Sequence, residues 1–200
     1  MAGALQAQYC MLPGQTPYSP LQPGITSFQL HTINRSSGNS ESTSAVVVVT
    51  GQSATLTPGQ TYTVTISHSE DTQFFTGARN NIRVWIDYNN NFSFTDPGET
   101  VISVDFEPPG TTFTGTFAVP TSVTPGTLTL RATAKMSSDA GHTLPTPCNV
   151  PADPLGYHGE MEDYLIIIEG ADPGVAPEAS FAASASSLCV SETLTLTNAS

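Results

Sequence analysis

The sequence predicts an all-β protein folded as an antiparallel β-sandwich of the jelly-roll or immunoglobulin-like kind. Apolar and polar residues alternate with a period of two along much of the 200-residue chain, whereas helical periodicity is almost absent. Turn signals containing Gly or Pro divide the alternating stretches into short segments, at the spacing expected of a sandwich. A chain of this length has room for one large or two small domains.

Eight segments have the composition of β-strands. In the third of them, Tyr62, Val64 and Ile66 alternate with threonines, which predicts one buried and one solvated face. The continuous apolar runs at 46–49 and 165–168 predict strands that are covered on both faces. The predicted strands are 28–33, 45–49, 61–67, 79–87, 100–106, 112–119, 127–136 and 164–169.

Turn signals separate these strands in the same order along the chain. They are Thr-Pro-Gly at 57–59, three asparagines at 89–91, Asp-Pro-Gly at 96–98, Pro-Pro-Gly at 108–110 and Thr-Pro-Gly at 124–126. The stretch 170–178 contains small residues and two prolines without apolar alternation, and it is predicted to be a linker. The main sandwich is therefore predicted to span 9–169.

The two ends of the chain lie outside this predicted sandwich. Residues 1–8 are predicted to be either the remnant of a secretory signal peptide or an ordinary frayed terminus. Residues 179–200 contain two further strand-like stretches, which are too few to close a core of their own. We expect them to be the first strands of a truncated immunoglobulin-like domain.

The charge balance excludes two classes of partner. Five Lys and Arg residues stand against 17 Asp and Glu residues, a formal net charge of −12. Such a surface repels nucleic acid and anionic lipid, so neither is an expected partner. No apolar run approaches the roughly 18 residues that a membrane-spanning helix needs. Divalent cations are plausible ligands because carboxylates bind them.

Three cysteines, Cys10, Cys148 and Cys189, show no CxxC spacing, which argues against a zinc knuckle or a redox motif. Few lysines and abundant Thr, Ser, Gly and Pro are typical of an extracellular β-protein. In that compartment Cys10 and Cys148 can form a disulfide. The alternative is two buried free thiols, and in either case Cys189 has no partner within the chain.

The most informative stretch is 85–99, WIDYNNNFSFTDPGE. Oxygen-bearing side chains alternate there as in calcium-binding loops, and Ca²⁺ prefers 6–8 hard oxygen ligands. Phe92 occupies the sixth position, where the helical calcium-binding hand has Gly, and the distal acid is the thirteenth residue. The alternative is a hydrogen-bonded Asx turn at the end of a hairpin. The candidate Ca²⁺ ligands in this loop are Asp87, Asn89, Asn91, Asp96 and Glu99.

A second acidic cluster, Glu160, Glu162 and Asp163, precedes the last predicted strand. In a sandwich this cluster can lie beside the first loop and supply a further carboxylate to the ion. The alternative is a solvated acidic strand end.

No catalytic signature is present, since the sequence has no HExxH, GxSxG or phosphate-binding loop. His142, Cys148 and His158 share one Pro-rich loop, but the short ligand spacing of a zinc site is absent. We expect both histidines to be surface loop residues.

The aromatic residues of the 85–99 loop allow two interpretations. Tyr88, Phe92 and Phe94 are predicted either to protrude around the loop and contact a ligand or to cap the core.

Two motifs in this order resemble the GEVED domain of large secreted and surface proteins of bacteria. They are WIDYN with FTDPGE at 85–99 and GEMEDY at 159–164, where Met161 replaces the Val of the family's name-giving run. The resemblance covers roughly 9–169 and includes an early cysteine, Cys10, and the arginine Arg131. It implies a β-sandwich accessory module without known catalytic residues, found among adhesion-like repeats or beside secreted peptidases.

The segments 177–184 and 188–200 resemble the first two strands of a polycystic kidney disease (PKD) type repeat. The sequence therefore predicts a non-catalytic, Ca²⁺-stabilised module of a secreted or cell-surface protein, acting in adhesion, glycan binding or protein binding. Its covalent neighbours are expected to be the flanking domains of the same polypeptide. The alternatives are an accessory domain of a secreted hydrolase whose catalytic domain lies outside these residues, and a structural spacer.

Overall fold

The computed structural model describes residues 9–12, 19, 21–38, 46–73 and 75–170, together with the strand backbone at 181–183 and 196–198. Contacts divide the chain into two units, Met1–Glu169 and Gly170–Ser200. The first unit contains nine described strands and a short 3-10 turn at Ser138–Ala140. The strands are β1 (Ile25–Leu30), β2 (Ile33–Ser36), β3 (Val46–Leu56), β4 (Thr61–His68), β5 (Asn80–Ile86), β6 (Thr100–Glu107), β7 (Thr112–Ala118), β8 (Gly126–Met136) and β9 (Gly159–Ile168).

These strands form two sheets, ordered β2-β1-β4-β7 and β3-β9-β8-β5-β6. The sheets pack face to face, which confirms the predicted β-sandwich. All strand pairs in the first unit are antiparallel except β3 with β9, which run parallel. That one parallel pair brings a strand from the first third of the chain beside the last strand of the unit.

The core lies between the two sheets and is made of alternate residues from both. Phe28 on β1 stacks on Tyr164 of β9 with ring centroids 4.3 Å apart. Val64 and Ile66 on β4 are fully buried, as their alternation with threonines predicts. The inner side chains of β5 and β8, among them Val84 and Leu130, close the core from the opposite sheet.

The predicted first strand, 28–33, is wrong, because the chain turns back within it. Leu30 pairs with Ile33 across a two-residue turn, so 25–36 forms a hairpin of β1 and β2. His31 in that turn has a φ of 50°, the left-handed conformation that tight hairpin turns require. Leu30 and Ile33 are both buried yet three residues apart, and this break in period two is the signal of the turn.

The predicted last strand, 164–169, begins too late, because β9 starts at Gly159 and includes the whole acidic cluster. Residues 159–164 are buried, whereas Ile167 is 36% exposed. The part of β9 that is covered on both faces is therefore its polar half and not the apolar run 165–168. The cover on its outer face comes from residues 9–12 and the long segment between β8 and β9, where Leu12 and Tyr157 pack on Met161.

Cys10 and Cys148 form a disulfide that joins these two covering segments. The predicted pairing is confirmed. Arg131 of β8 lies beneath it and donates hydrogen bonds to the carbonyl oxygens of Cys10, at 2.9 Å, and Pro147, at 2.7 Å. The disulfide thus holds the two covering segments to each other, and the buried Arg131 guanidinium holds both to the sheet.

The second unit contains an antiparallel pair, β10 (Phe181–Ala183) and β11 (Leu196–Asn198). The predicted linker, apart from Gly170, and the rest of the segment that resembles a PKD-type repeat lie outside the described residues. So do residues 1–8. Among the described residues, no helix is long and apolar enough to cross a membrane.

Substituting Gly159 with alanine is expected to destabilise the protein. A Cβ at this position would lie 2.5 Å from the Ala134 carbonyl oxygen and 2.7 Å from the Lys135 Cα, both backbone atoms of β8. Overpacking of this kind costs about 1–3 kcal/mol. Urea unfolding of Gly159→Ala measures this loss. Gly38→Ala is the matched control, because no heavy atom lies within 4 Å of its added Cβ. Equal stability of the two variants would contradict the prediction.

Candidate functional site

The loop between β5 and β6, which begins at Asp87 and ends at Glu99, is the candidate site. Its first half is a tight turn in which Asn90 and Phe92 have φ values of 56° and 67°. Phe92 thus adopts the left-handed conformation that glycine takes most easily, and the loop turns sharply despite its side chain. Gly98, with φ of 90°, makes the second sharp turn before β6.

Asp87 is the centre of the first half of the loop. Its side chain is buried and accepts hydrogen bonds from the backbone N–H groups of Asn91, at 3.1 Å, and Phe92, at 2.9 Å. The Tyr9 hydroxyl donates a third hydrogen bond at 2.7 Å. Asn89 continues the pattern by accepting the Asn91 N–H at 3.1 Å. The Asn89 hydrogen bond is an Asx turn, and the two backbone hydrogen bonds to Asp87 close the loop over four and five residues.

Asp96 is the point on which the polar side chains of the loop converge. Its Oδ2 accepts hydrogen bonds from the side-chain amides of Asn89, at 3.1 Å, and Asn91, at 2.7 Å. These two hydrogen bonds lower the pKa of Asp96 below its ordinary value. Asp96 is therefore ionised at neutral pH.

Glu99 lies beneath the loop and is buried. Its carboxylate accepts the backbone N–H groups of Tyr88 and Asp96, both at 3.1 Å. Burial raises the pKa of Glu99, and the nearby charges of Asp87 and Asp96 raise it further. Glu99 thus joins the two ends of the loop and lies close to the carboxylates of Asp87 and Asp96.

The structure does not bring the acids of the second cluster to this loop. Glu160 and Glu162 point to the inner face of β9, where Glu160 accepts the Ile25 N–H at 2.8 Å. Glu162 forms an ion pair with Arg35 and accepts the Tyr164 hydroxyl. The expected position of both residues beside the Asp87–Glu99 loop is therefore wrong, because alternate residues of a strand point to the face that the core occupies.

Asp163 points to the opposite face of β9 and is held by Arg131. The guanidinium donates two hydrogen bonds to its carboxylate, at 2.6 and 2.7 Å. The three acids of the cluster therefore each have an internal partner, and none is a solvated strand end. Within the described residues, no three His, Cys, Asp or Glu side chains are grouped so as to hold a metal ion.

The aromatic residues of the loop divide between core and surface. Phe94 is buried and stacks on Tyr9 with centroids 4.9 Å apart, and the Arg131 guanidinium lies 5.1 Å from its centroid. Phe92 is 37% exposed and packs its edge against Tyr9 at 5.5 Å. Tyr88 is half-buried and packs against the main core. Phe92 is thus the loop aromatic most available to a ligand.

Tyr9 is a residue of the site that the sequence reasoning does not identify. It precedes Cys10, and the disulfide brings it over the outer face of β5 and β8, where it reaches Asp87. Nothing in the local sequence signals this contact, because the two residues are 78 positions apart. Beside the loop is a cavity of about 220 Å³, lined by Tyr88, Asn89, Asn90 and residues 124–128 at the start of β8.

Residues 81–167 match the GEVED domain family. No curated protein matches the chain. Among solved structures, a glycoside hydrolase family 61 member, Cel61B from Hypocrea jecorina, is similar with a TM-score of 0.41 and 9% identity, over 74% of this chain and 82% of that one. A cellulose-active polysaccharide monooxygenase from M. thermophila is similar with a TM-score of 0.36 and 11% identity, over 74% of this chain and 78% of that one.

Proposed function

From the GEVED match of residues 81–167, we propose that this chain is a non-catalytic accessory module of a secreted or cell-surface bacterial protein, and that its Asp87–Glu99 loop binds Ca²⁺. The observation that carries the calcium proposal is the convergence of Asn89 and Asn91 on the ionised carboxylate of Asp96. Glycans or protein surfaces are the proposed ligands of the module.

The donor set of the loop suits a hard cation. Asp87, Asn89, Asn91, Asp96 and Glu99 offer carboxylate and amide oxygens within one thirteen-residue loop, and Ca²⁺ prefers such oxygens. The side-chain NH₂ groups of Asn89 and Asn91 donate to Asp96. Rotation of each amide about its terminal side-chain bond would turn the amide oxygen, which can bind a cation, to the position of the NH₂ group. Asp87 and Glu99 are supported by backbone N–H groups, which hold their carboxylates in place.

A bound ion would act by making the loop rigid. Its charge would offset the carboxylates that the fold gathers at Asp87, Asp96 and Glu99, and would hold the exposed Phe92 ring and the adjacent cavity in one arrangement. A pre-organised surface of this kind binds a partner at a lower entropic cost.

Two further observations support an extracellular, non-catalytic role. The Cys10–Cys148 disulfide is of a kind that persists in oxidising compartments. The acids of the GEMED run, which could otherwise serve as a paired acid and base, are held by Ile25, Arg35, Tyr164 and Arg131. Their role is to join strands and not to reach a substrate.

Titrating the demetallated chain with Ca²⁺ in a calorimeter tests the calcium proposal. We expect one ion per chain at sub-millimolar affinity, a higher melting temperature with Ca²⁺, and at least tenfold weaker binding by Asp96→Asn. Removal of one negative ligand from a loop that already has two neutral amides accounts for that loss.

Asp139→Asn is the matched control for this titration. Asp139 is an exposed aspartate in the 3-10 turn after β8, at the end of the sheet opposite the Asp87–Glu99 loop. The Asp139→Asn variant is expected to bind Ca²⁺ with the same affinity as the unaltered chain. The calcium proposal is refuted if millimolar Ca²⁺ produces no heat of binding and no shift in melting temperature.

A further inference from the structure

Two of the four histidines, His142 and His158, lie together at the end of the five-stranded sheet away from the Asp87–Glu99 loop. Their ring centroids are 4.7 Å apart, and the Phe75 ring packs edge-on against both. His142 is only 3% exposed and His158 is partly buried, so the expectation that both are surface loop residues is wrong for His142. Beside them, Lys135 of β8 and Asp153 of the segment between β8 and β9 form a buried ion pair.

Asp153 determines which nitrogen of His142 carries the hydrogen. Its Oδ2 lies 3.2 Å from His142 Nδ1 and also accepts the Thr143 N–H at 3.0 Å and the Lys135 ammonium at 2.5 Å. Because it is paired with the Lys135 ammonium and accepts the Thr143 N–H, the Asp153 carboxylate acts only as an acceptor. In the neutral ring, Nδ1 of His142 therefore carries the hydrogen and Nε2 presents a lone pair.

In the part of the chain that the structure describes, each of the two rings has a nitrogen that forms no hydrogen bond. His142 Nε2 and His158 Nδ1 are both buried and have no hydrogen-bond partner among the described residues. Buried polar atoms are almost always satisfied, and an unmade hydrogen bond in the interior is costly. Two adjacent rings, each with an unpartnered buried nitrogen, point to a shared ligand.

A transition-metal ion meets that requirement. Imidazole nitrogens bind Zn²⁺ at about 2.0–2.1 Å, which places the ion about 3.2 Å from each ring centroid. For an ion that both nitrogens face, centroids separated by 4.7 Å correspond to an N–metal–N angle of roughly 95°, within the range such ions adopt. A histidine ligand usually donates its other ring N–H to a carboxylate, as His142 does to Asp153.

We propose that His142 Nε2 and His158 Nδ1 bind a divalent transition-metal ion that prefers imidazole ligands, with Zn²⁺ as the representative ion and Asp153 as the residue that positions His142. Within the described residues no third acidic, histidine or cysteine ligand joins the pair, so water or an external ligand completes the coordination. Lys135 already balances the charge of Asp153, and we therefore expect micromolar affinity. This site is separate from the proposed calcium loop and does not depend on it.

Calorimetric titration of the tag-free, demetallated full chain with Zn²⁺ tests this proposal. We expect one Zn²⁺ per chain, at least tenfold weaker binding by His158→Phe, and unchanged binding in millimolar Ca²⁺ or in the Asp96→Asn variant. His31→Phe is the matched control, because His31 is an exposed histidine in the turn between β1 and β2. It is expected to bind Zn²⁺ within twofold of the unaltered chain.

Nitrogen NMR of the histidine rings in the unaltered chain provides a measurement that does not depend on how a variant folds. Zn²⁺ is expected to shift the signals of His142 Nε2 and His158 Nδ1 and to leave those of His31 and His68 in place. The proposal is overturned if no Zn²⁺ binds, if His158→Phe binds as tightly as His31→Phe, or if the shifts appear only at His31 or His68.

Discussion

Reducing the Cys10–Cys148 disulfide is expected to lower the free energy of unfolding by about 5 kcal/mol. The bond closes a loop with a sequence separation of 138 residues, so its loss releases a large chain entropy in the unfolded state. It also frees residues 9–12 from the segment that carries Cys148. Tyr9 is then no longer held over β5, and the Asp87 carboxylate loses the hydrogen bond from the Tyr9 hydroxyl.

Urea unfolding of the Cys10→Ser/Cys148→Ser variant, compared with the oxidised chain, measures this loss. Cys189→Ser is the matched control, since it leaves the disulfide in place, and we expect its stability to be unchanged. If the double variant unfolds at the same urea concentration as the control, the disulfide does not stabilise the covering segments and the prediction fails. The Ca²⁺ affinity of the double variant is also expected to fall, because without the disulfide Tyr9 is no longer held where its hydroxyl donates to Asp87.

Replacing Arg131 with methionine is expected to cost about 3–5 kcal/mol, because it leaves a carboxylate in the interior without its partner. Arg131 is fully buried and is bound by Asp163 through two hydrogen bonds, by two backbone carbonyls, and by the face of Phe94. Its guanidinium is therefore the centre of the contact between the sheet and its cover. Thermal and urea unfolding measure the loss.

A double-mutant cycle identifies the cause of that loss. Arg131→Met/Asp163→Leu removes both charges, and we expect it to be more stable than Arg131→Met alone, since an apolar pair can replace a buried ion pair. Arg79→Met is the control for loss of a cation, because Arg79 is exposed, and its effect is expected to stay within about 0.5 kcal/mol. A double variant less stable than Arg131→Met would contradict this explanation.

The class of fold follows from local patterns. Val64 and Ile66 alternate with threonines, and alternation can only be satisfied by a strand with one buried face, so the sandwich is predictable without any long-range information. The Asp87–Glu99 loop is predictable for the same reason. Its Asn and Asp side chains bond to backbone groups only two to five residues away, which is a short-range property of the sequence.

The position of the first turn shows how a local pattern can be misjudged. The segment 28–33 has the composition of one strand, and only the spacing of Leu30 and Ile33 indicates that both cannot share a face without a turn between them. The start of β9 was missed for a different reason. Glu160 and Glu162 have the composition of a solvated segment, and their burial depends on Ile25 and Arg35, which lie more than 100 residues earlier.

The same dependence on residues far apart in the chain explains which contacts of the candidate sites the sequence does not predict. Sequence patterns determine the β class, the turn chemistry of the Asp87–Glu99 loop and the choice of cysteines available for pairing, because each of these depends on neighbours along the chain. Tertiary structure alone decides that Tyr9 reaches Asp87, that Arg131 neutralises Asp163, and that two unpartnered histidine nitrogens meet beside Asp153. Those contacts arise when residues 9–12 and the segment between β8 and β9 cover one face of a sheet, and burial then requires each charge and polar atom there to find a partner.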